Sequence, residues 1–266
     1  MLIYSPKKLM AKVVSVINQK GGVGKTTSVI NLATSLAAIG QKTLIIDLDP
    51  QGNASTGIGL SQDRRISNTY DVLSKKNEIS TTIHESGIKN LSIIPSSVDL
   101  AGAEIELSGN TKLLKVLLQT VLKDYDIILL DCPPSLGMLT INALCASNSI
   151  LIPVQCEFFA LEGLSHLMKT YEMIIGNDNA NPELEIEGVL LTMYDKRNNL
   201  TQEVEIEVRK VFGEAVYKTV IPRNIRISEA PSYGLPVMMY DISCPGSIAY
   251  INLAKEFVQR NGIKIE

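Results

Sequence analysis

The 266-residue chain has no tryptophan, two histidines and only 5 % aromatic side chains. Its core must therefore rest on Ile, Leu, Val and Ala. The four cysteines, Cys132, Cys145, Cys156 and Cys244, show no C-x-x-C spacing. That argues against a zinc or disulfide framework and leaves them as small apolar core residues. No stretch reaches the roughly 18 consecutive apolar residues of a membrane span. The opening MLIYSPKKLMAK lacks the apolar run of a signal peptide, so the expected location is cytoplasmic. A net charge of −3 excludes steering of the whole molecule to nucleic acid, which leaves only a local patch for such contact. Repeats, low-complexity tracts and linkers are also missing.

What is present is an ordinary globular composition, 45 % hydrophobic and 20 % charged, at a length that suits one large α/β domain. Met10 stands just before the first apolar run. Residues 1–10 therefore read as a disordered N-terminal extension, or 1–9 as a misplaced start, ahead of a single domain over 11–266. Strand-like apolar runs recur at 13–17, 43–48, 91–94, 127–131, 149–154, 187–192 and 216–221. Helical patterns lie at 26–38, 111–122, 137–146, 158–175, 202–212 and 247–259. Alternating strands and helices predict a single doubly wound, mostly parallel sheet with helices on both faces. The less regular segment 55–90 reads as an insertion at the edge of the site.

Residues 20–27, KGGVGKTT, are the most informative in the chain. The ordinary phosphate-binding loop is G-x-x-x-x-G-K-S/T, set between a strand and a helix. Gly24, Lys25 and Thr26 supply its second half, but Gln19 stands where the first glycine belongs. A Gly21-Gly22 pair and a second lysine, Lys20, take its place. Glycines let backbone amides approach phosphate oxygens, and the amides of 22–27 would form an anion site at a helix N-terminus. Lys25 would bridge the β- and γ-phosphates of ATP, Thr26 would ligate Mg²⁺, and Thr27 would meet the α-phosphate. Lys20 would crowd Lys25 within one loop. It makes better sense reaching the phosphates of a second subunit, as arginine fingers supplied in trans do.

Two further runs end in carboxylates: TLIIDLD (43–49) and DIILLD (126–131). Ligands of open parallel sheets bind beyond the carboxyl ends of the strands. Asp131 fits the Walker-B role of holding the Mg²⁺ shell, and Asp49 a water-positioning role. Asp47 suits either role, or merely fixes the loop. Each of these carboxylates alone is also a common strand-end residue; three at sites the loop predicts exceed coincidence.

With IIDLDPQGNAS (45–55), DIILLDCPPSLG (126–137), EFFALEGL (157–164) and IPRNIRISEAPSYG (221–234) added, the chain resembles the ParA/Soj family of partition ATPases, within the deviant Walker-A P-loop class. The resemblance runs from about residue 11 to 260 and is to short members without an N-terminal helix-turn-helix domain. It implies slow, partner-stimulated ATP hydrolysis with Mg²⁺, and an ATP-dependent homodimer in which Lys20 reaches across. It further implies DNA binding without sequence preference, a ParB-like centromere-binding partner and a nucleoid-associated location. Carried over by residue, nucleotide contacts fall on Lys20, Gly22, Val23, Gly24, Lys25, Thr26 and Thr27. Pro222 and Asn224 match the base-proximal segment, and the residues of catalysis are Lys20, Lys25 and Asp49.

DNA contacts would fall on Arg197 and Arg226, with Arg223 and Lys196 as weaker candidates. Between Asp195 and Arg226 seven basic residues stand against five acidic, so composition alone shows no patch. Many relatives carry a basic pair after a Tyr-Asp; here Asp241 is followed by Ile242-Ser243-Cys244. That departure implies weaker DNA binding, or more of it carried by Arg197 and Arg226. The alternative of a MinD-like membrane-associated ATPase needs a C-terminal amphipathic basic helix, and LAKEFVQRNGIKIE has no such stripe. An iron–sulfur carrier needs paired interfacial cysteines, and a metabolic kinase an acceptor motif; neither is evident.

Overall fold

The computed structural model describes residues 10–107, 109–157 and 160–264, so the extension expected at the N-terminus lies outside the described residues but for Met10. Seven strands form one sheet: β1 Lys12–Val16, β2 Thr43–Asp47, β3 His84–Glu85, β4 Leu91–Ile94, β5 Ile127–Asp131, β6 Ser149–Gln155 and β7 Glu185–Thr192. Their order is β3-β4-β2-β5-β1-β6-β7. All neighbours are parallel except β3, which runs antiparallel to β4.

Uninterrupted apolar strands are what a sheet covered on both faces requires. In β5, Ile127 and Leu129 join one buried cluster, with the helices Lys25–Ala38 and Pro245–Arg260. Ile128 and Leu130 point the other way, to Leu113–Leu118, Met138–Ala146, Ala160–Ile175 and Asn199–Phe212. The Lys25–Ala38 helix stops where Gly40 takes φ +94, which lets the Gly40 and Gln41 amides cap the Ala37 and Leu36 carbonyls.

Three expectations need correction. The run 216–221 is no strand. Tyr217 N–H donates to Val189 O and Ile221 N–H to Leu191 O, but the amides of Lys218 and Thr219 between them turn to the Glu256 carboxylate. Four residues therefore span what two would span in a ladder, and only isolated bridges survive. The segment 55–90 is no insertion. It is the crossover that returns the chain from the end of β2 to the start of β4, and only its first part borders the site. The helix expected at 111–122 is regular only over Leu113–Leu118.

Gly188 shows how tightly the 215–217 segment packs on β7. A Cβ there would lie 2.5 Å from Tyr217 Cε2 and 2.8 Å from Ala215 O, and Tyr217 is fully buried. Gly188→Ala is expected to destabilise the fold by about 1–3 kcal/mol, the usual cost of overpacking. Urea denaturation checks this; an unchanged midpoint would mean the segment yields.

Candidate functional site

In register, Asp131 of β5 lies opposite both Val16 of β1 and Asp47 of β2. Three strand ends are thus flush, and the loop after β1 runs directly past two carboxylates. Within that loop Gly22 and Gly24 have φ +75 and +89, conformations open to glycine and strained for other residues. Among the described residues, none of the amides from Gly21 to Thr27 makes an internal hydrogen bond. A row of unpaired N–H groups at the start of a 14-residue helix is an anion site in form. Thr192, at the end of β7, holds the loop by donating its hydroxyl to Val23 O at 2.8 Å.

Lys25 is buried, and its Nζ donates to the Lys20 carbonyl at 3.0 Å. Burial pushes the ammonium below its ordinary pKa, while Asp131, the Cys132 thiol and Asp49 oppose that shift. Asp131 is wholly buried, and neither of its carboxylate oxygens has a hydrogen-bond partner. Burial and then the neighbouring Asp47 raise its pKa well above the usual range; the nearby Thr26 hydroxyl acts in the opposite sense. Buried polar atoms are almost always paired, so two orphaned acceptors on one side chain mark a place that suits a cation. Oxygen donors from Thr26 and Asp131 match the hard-oxygen preference of Mg²⁺.

Asp47 is buried as well, and desolvation raises it to about 6, although the Ser55 hydroxyl and amide both donate to Oδ2 (2.7 and 2.9 Å). Of its possible roles, fixing the loop is the one these bonds support. Asp49 opens a turn: its carboxylate accepts from Gln51 N–H and its carbonyl from Gly52 N–H.

Lys20 has a partner in its own chain. Its Nζ lies 3.2 Å from Glu157 Oε2, just beyond β6, with both side chains partly exposed. Lys20 therefore does not crowd Lys25 in the isolated subunit but is held to one side by an ion pair. Glu157, Thr192 and Ser55 all escaped assignment. The rule that found Asp131, polar residues at the carboxyl ends of parallel strands, applied equally to Thr192 and Glu157.

Beside the loop opens a cavity of about 460 Å³ lined by Gly24, Thr27, Met193, Pro222, Arg223 and Asn224, among others. Pro222 and Asn224 are therefore brought to the loop from about 200 residues away. Asn224 Oδ1 caps the short helix Ile225–Glu229 by accepting from Arg226 N–H. Arg223, expected at a DNA surface, lines this cavity too. The other basic candidates are exposed, and the two arginines among them are paired. Arg197 donates to both oxygens of Asp195, at 3.0 and 2.9 Å, and these bonds hold the Asp195 carboxyl down to about 2. Arg226 is 2.9 Å from Glu229 and 3.6 Å from Asp241. Lys196 is exposed, with its carbonyl accepting from Gln202.

Known proteins place this geometry. A family described as an AAA domain matches residues 11–186. The chromosome partitioning protein ParA of Caulobacter vibrioides is 49 % identical over 94 % of each chain. Soj of Bacillus subtilis, named a sporulation initiation inhibitor protein, is 50 % identical over 95 % of this chain and 100 % of its own. The chain belongs to the ParA/Soj family of partition ATPases. The same architecture extends beyond partition proteins. A cobyrinic acid a,c-diamide synthase from Mycobacterium smegmatis, solved with bound ADP and magnesium, superposes with a TM-score of 0.82. It is 31 % identical, over 96 % of this chain and 98 % of that one. What this ParA/Soj member shares with it is the fold over nearly the whole of both chains.

Proposed function

We propose that this ParA/Soj member is a Mg²⁺-dependent ATPase whose ATP-bound homodimer holds DNA without sequence preference. In this reading, hydrolysis stimulated by a ParB-like centromere-binding partner releases the dimer from the nucleoid. The observation that carries it is the juxtaposition of Lys20 with the row of free amides from Gly21 to Thr27, in a chain half identical to partition proteins along nearly its whole length. The amides and Lys25 hold the phosphates, and Gly22, Val23, Gly24, Thr26 and Thr27 frame them. Pro222 and Asn224 close the cavity around the base. Thr26 and Asp131 would hold the Mg²⁺, which when bound would supply charge neutralisation at the phosphate oxygens. Asp49 orients the attacking water. Lys20, released from Glu157, supplies a charge to the partner's phosphates. An ion pair this exposed contributes about 0–1 kcal/mol, so it yields easily to a phosphate. The membrane-associated alternative is the more distant one, since MinD structures share the fold at 25 % identity against 49–50 % for the partition proteins. Among the described residues no helix is long and apolar enough to cross a membrane, and the Pro245–Arg260 helix buries its apolar face in the core.

DNA contact rests on Arg197 and Arg226, with Arg223 secondary because it lines the cavity. Phosphate contacts fix position without reading bases, so Arg197→Ala and Arg226→Ala should weaken binding about equally on all duplex sequences. A dimer presents each arginine twice. Each substitution should therefore cut the slope of log K against log salt by about 1.8, at roughly 0.9 per contact. Titrating duplexes with the ATP-bound protein at several salt concentrations measures this. Unchanged affinity and slope in both variants would place the DNA site elsewhere.

A further inference from the structure

Arg65 is buried, and among the described residues it makes no ion pair. A guanidinium stays charged in proteins, and burying a charge without a paired partner is costly. The nearby Asp47 carboxylate offsets part of that cost without pairing directly, and the contacts of the guanidinium show where it is directed. Nε and Nη2 donate to the Leu60 carbonyl at 3.1 and 2.8 Å, and Nη2 also donates to the Thr56 hydroxyl at 2.8 Å. Thr56 Oγ1 donates in turn to Gly52 O at 3.1 Å. Gly52 N–H closes the turn on Asp49 O at 2.8 Å. Among the described residues Nη1 makes no hydrogen bond, and it lies against the position a Gly52 Cβ would occupy. The guanidinium thus rests against the turn that Asp49 opens, where Gly52 takes a φ of +63 that favours glycine.

We infer that Arg65 is a positioning residue for hydrolysis: through Thr56 and Gly52 it fixes the turn that aims the Asp49 carboxylate. This rests on the reading of Asp49 as the water-orienting group. The relay is directional, because each member's donor is already committed to the next acceptor. The planar fork is essential to it, since a lysine ammonium offers a point charge with no fixed second donor direction. Nothing in the relay touches the amides of the phosphate loop or Lys25, so nucleotide affinity should not depend on it.

The test separates binding from turnover. Arg65→Lys, Arg65→Met, Thr56→Val, Thr56→Ser and Asp49→Ala are compared by titration with a fluorescent ATP analogue and by single-turnover hydrolysis of ATP. Arg65→Lys, Arg65→Met and Thr56→Val should bind the analogue within about twofold of the parent, the sign of a group that acts on kcat alone. Hydrolysis should slow roughly tenfold to a hundredfold, the scale for a reacting group displaced by about 1 Å. Thr56→Ser keeps the hydroxyl and should hydrolyse at the parent rate. If the variants lower the melting temperature while hydrolysis per bound nucleotide is unchanged, Arg65 is only structural and the inference is overturned. Should the Arg65 variants fail to fold, Thr56→Val decides alone by the same two readings. Normal turnover in Asp49→Ala would overturn the Asp49 assignment and this inference with it. Slow turnover there alongside unaffected Arg65 and Thr56 variants would overturn only the role of Arg65.

Discussion

Replacing Lys20 by Ala should abolish the ATP-dependent dimer while leaving a folded monomer that still binds ATP. Lys20 is about one-third exposed, and its side chain holds only the partly exposed Glu157, so little stability depends on it. In the proposed dimer its ammonium would instead act at a second subunit's phosphates, where exclusion of water would strengthen the attraction. Sedimentation with a non-hydrolysable ATP analogue is the measurement. A dimer as stable as the parent's would remove Lys20 from the interface and leave the second lysine unexplained. A related distinction comes from urea denaturation without nucleotide, where Lys20→Ala should match the parent.

Lys25→Ala should lose nucleotide binding itself. Lys25 is buried in its loop, with Asp131 and Asp49 acting on its charge. Truncating one side of a desolvated charged contact costs about 2–5 kcal/mol, which corresponds to a loss of affinity of roughly thirtyfold to several thousandfold. Titration with a fluorescent ATP analogue should show this in the monomer, before any dimer forms. Retained affinity would mean that the free amides from Gly21 to Thr27 suffice, with Lys25 acting later. The two lysines five residues apart thus make opposite demands: loss of one spares binding and prevents pairing, and loss of the other prevents both.

Much of this site was legible in the sequence because it is local. The phosphate loop is eight consecutive residues, and Asp47 and Asp131 announce themselves as the polar ends of apolar runs. Strand recognition succeeded for the same reason, since β2 and β5 are buried along their whole length and β1, β4, β6 and β7 each carry a mostly apolar, mostly buried run. His84–Glu85 is too short for any period to show, and the helices Asn53–Gly57, Thr69–Leu73 and Val237–Tyr240 span barely a turn. The run 216–221 has the β-branched and aromatic composition of a strand, and Glu256, some 37 residues away, redirects two of its amides. The Lys20–Glu157 pair spans 137 residues, and nothing in the loop betrays it. Arg65 was invisible for a different reason: a single arginine in a polar stretch has the pattern of a surface residue.

The redirected amides at Lys218 and Thr219 have a further effect. An outermost strand with a free row of N–H and C=O groups invites another chain to extend the sheet. Here β7 is flanked by a segment that matches it at two isolated points and then breaks step, with Pro222, which has no N–H, at one of them. At the opposite border β3 is two residues long and ends the sheet against its direction. Both margins are thereby made poor templates for strand addition. Copies at high local density would therefore have little tendency to knit their sheets together.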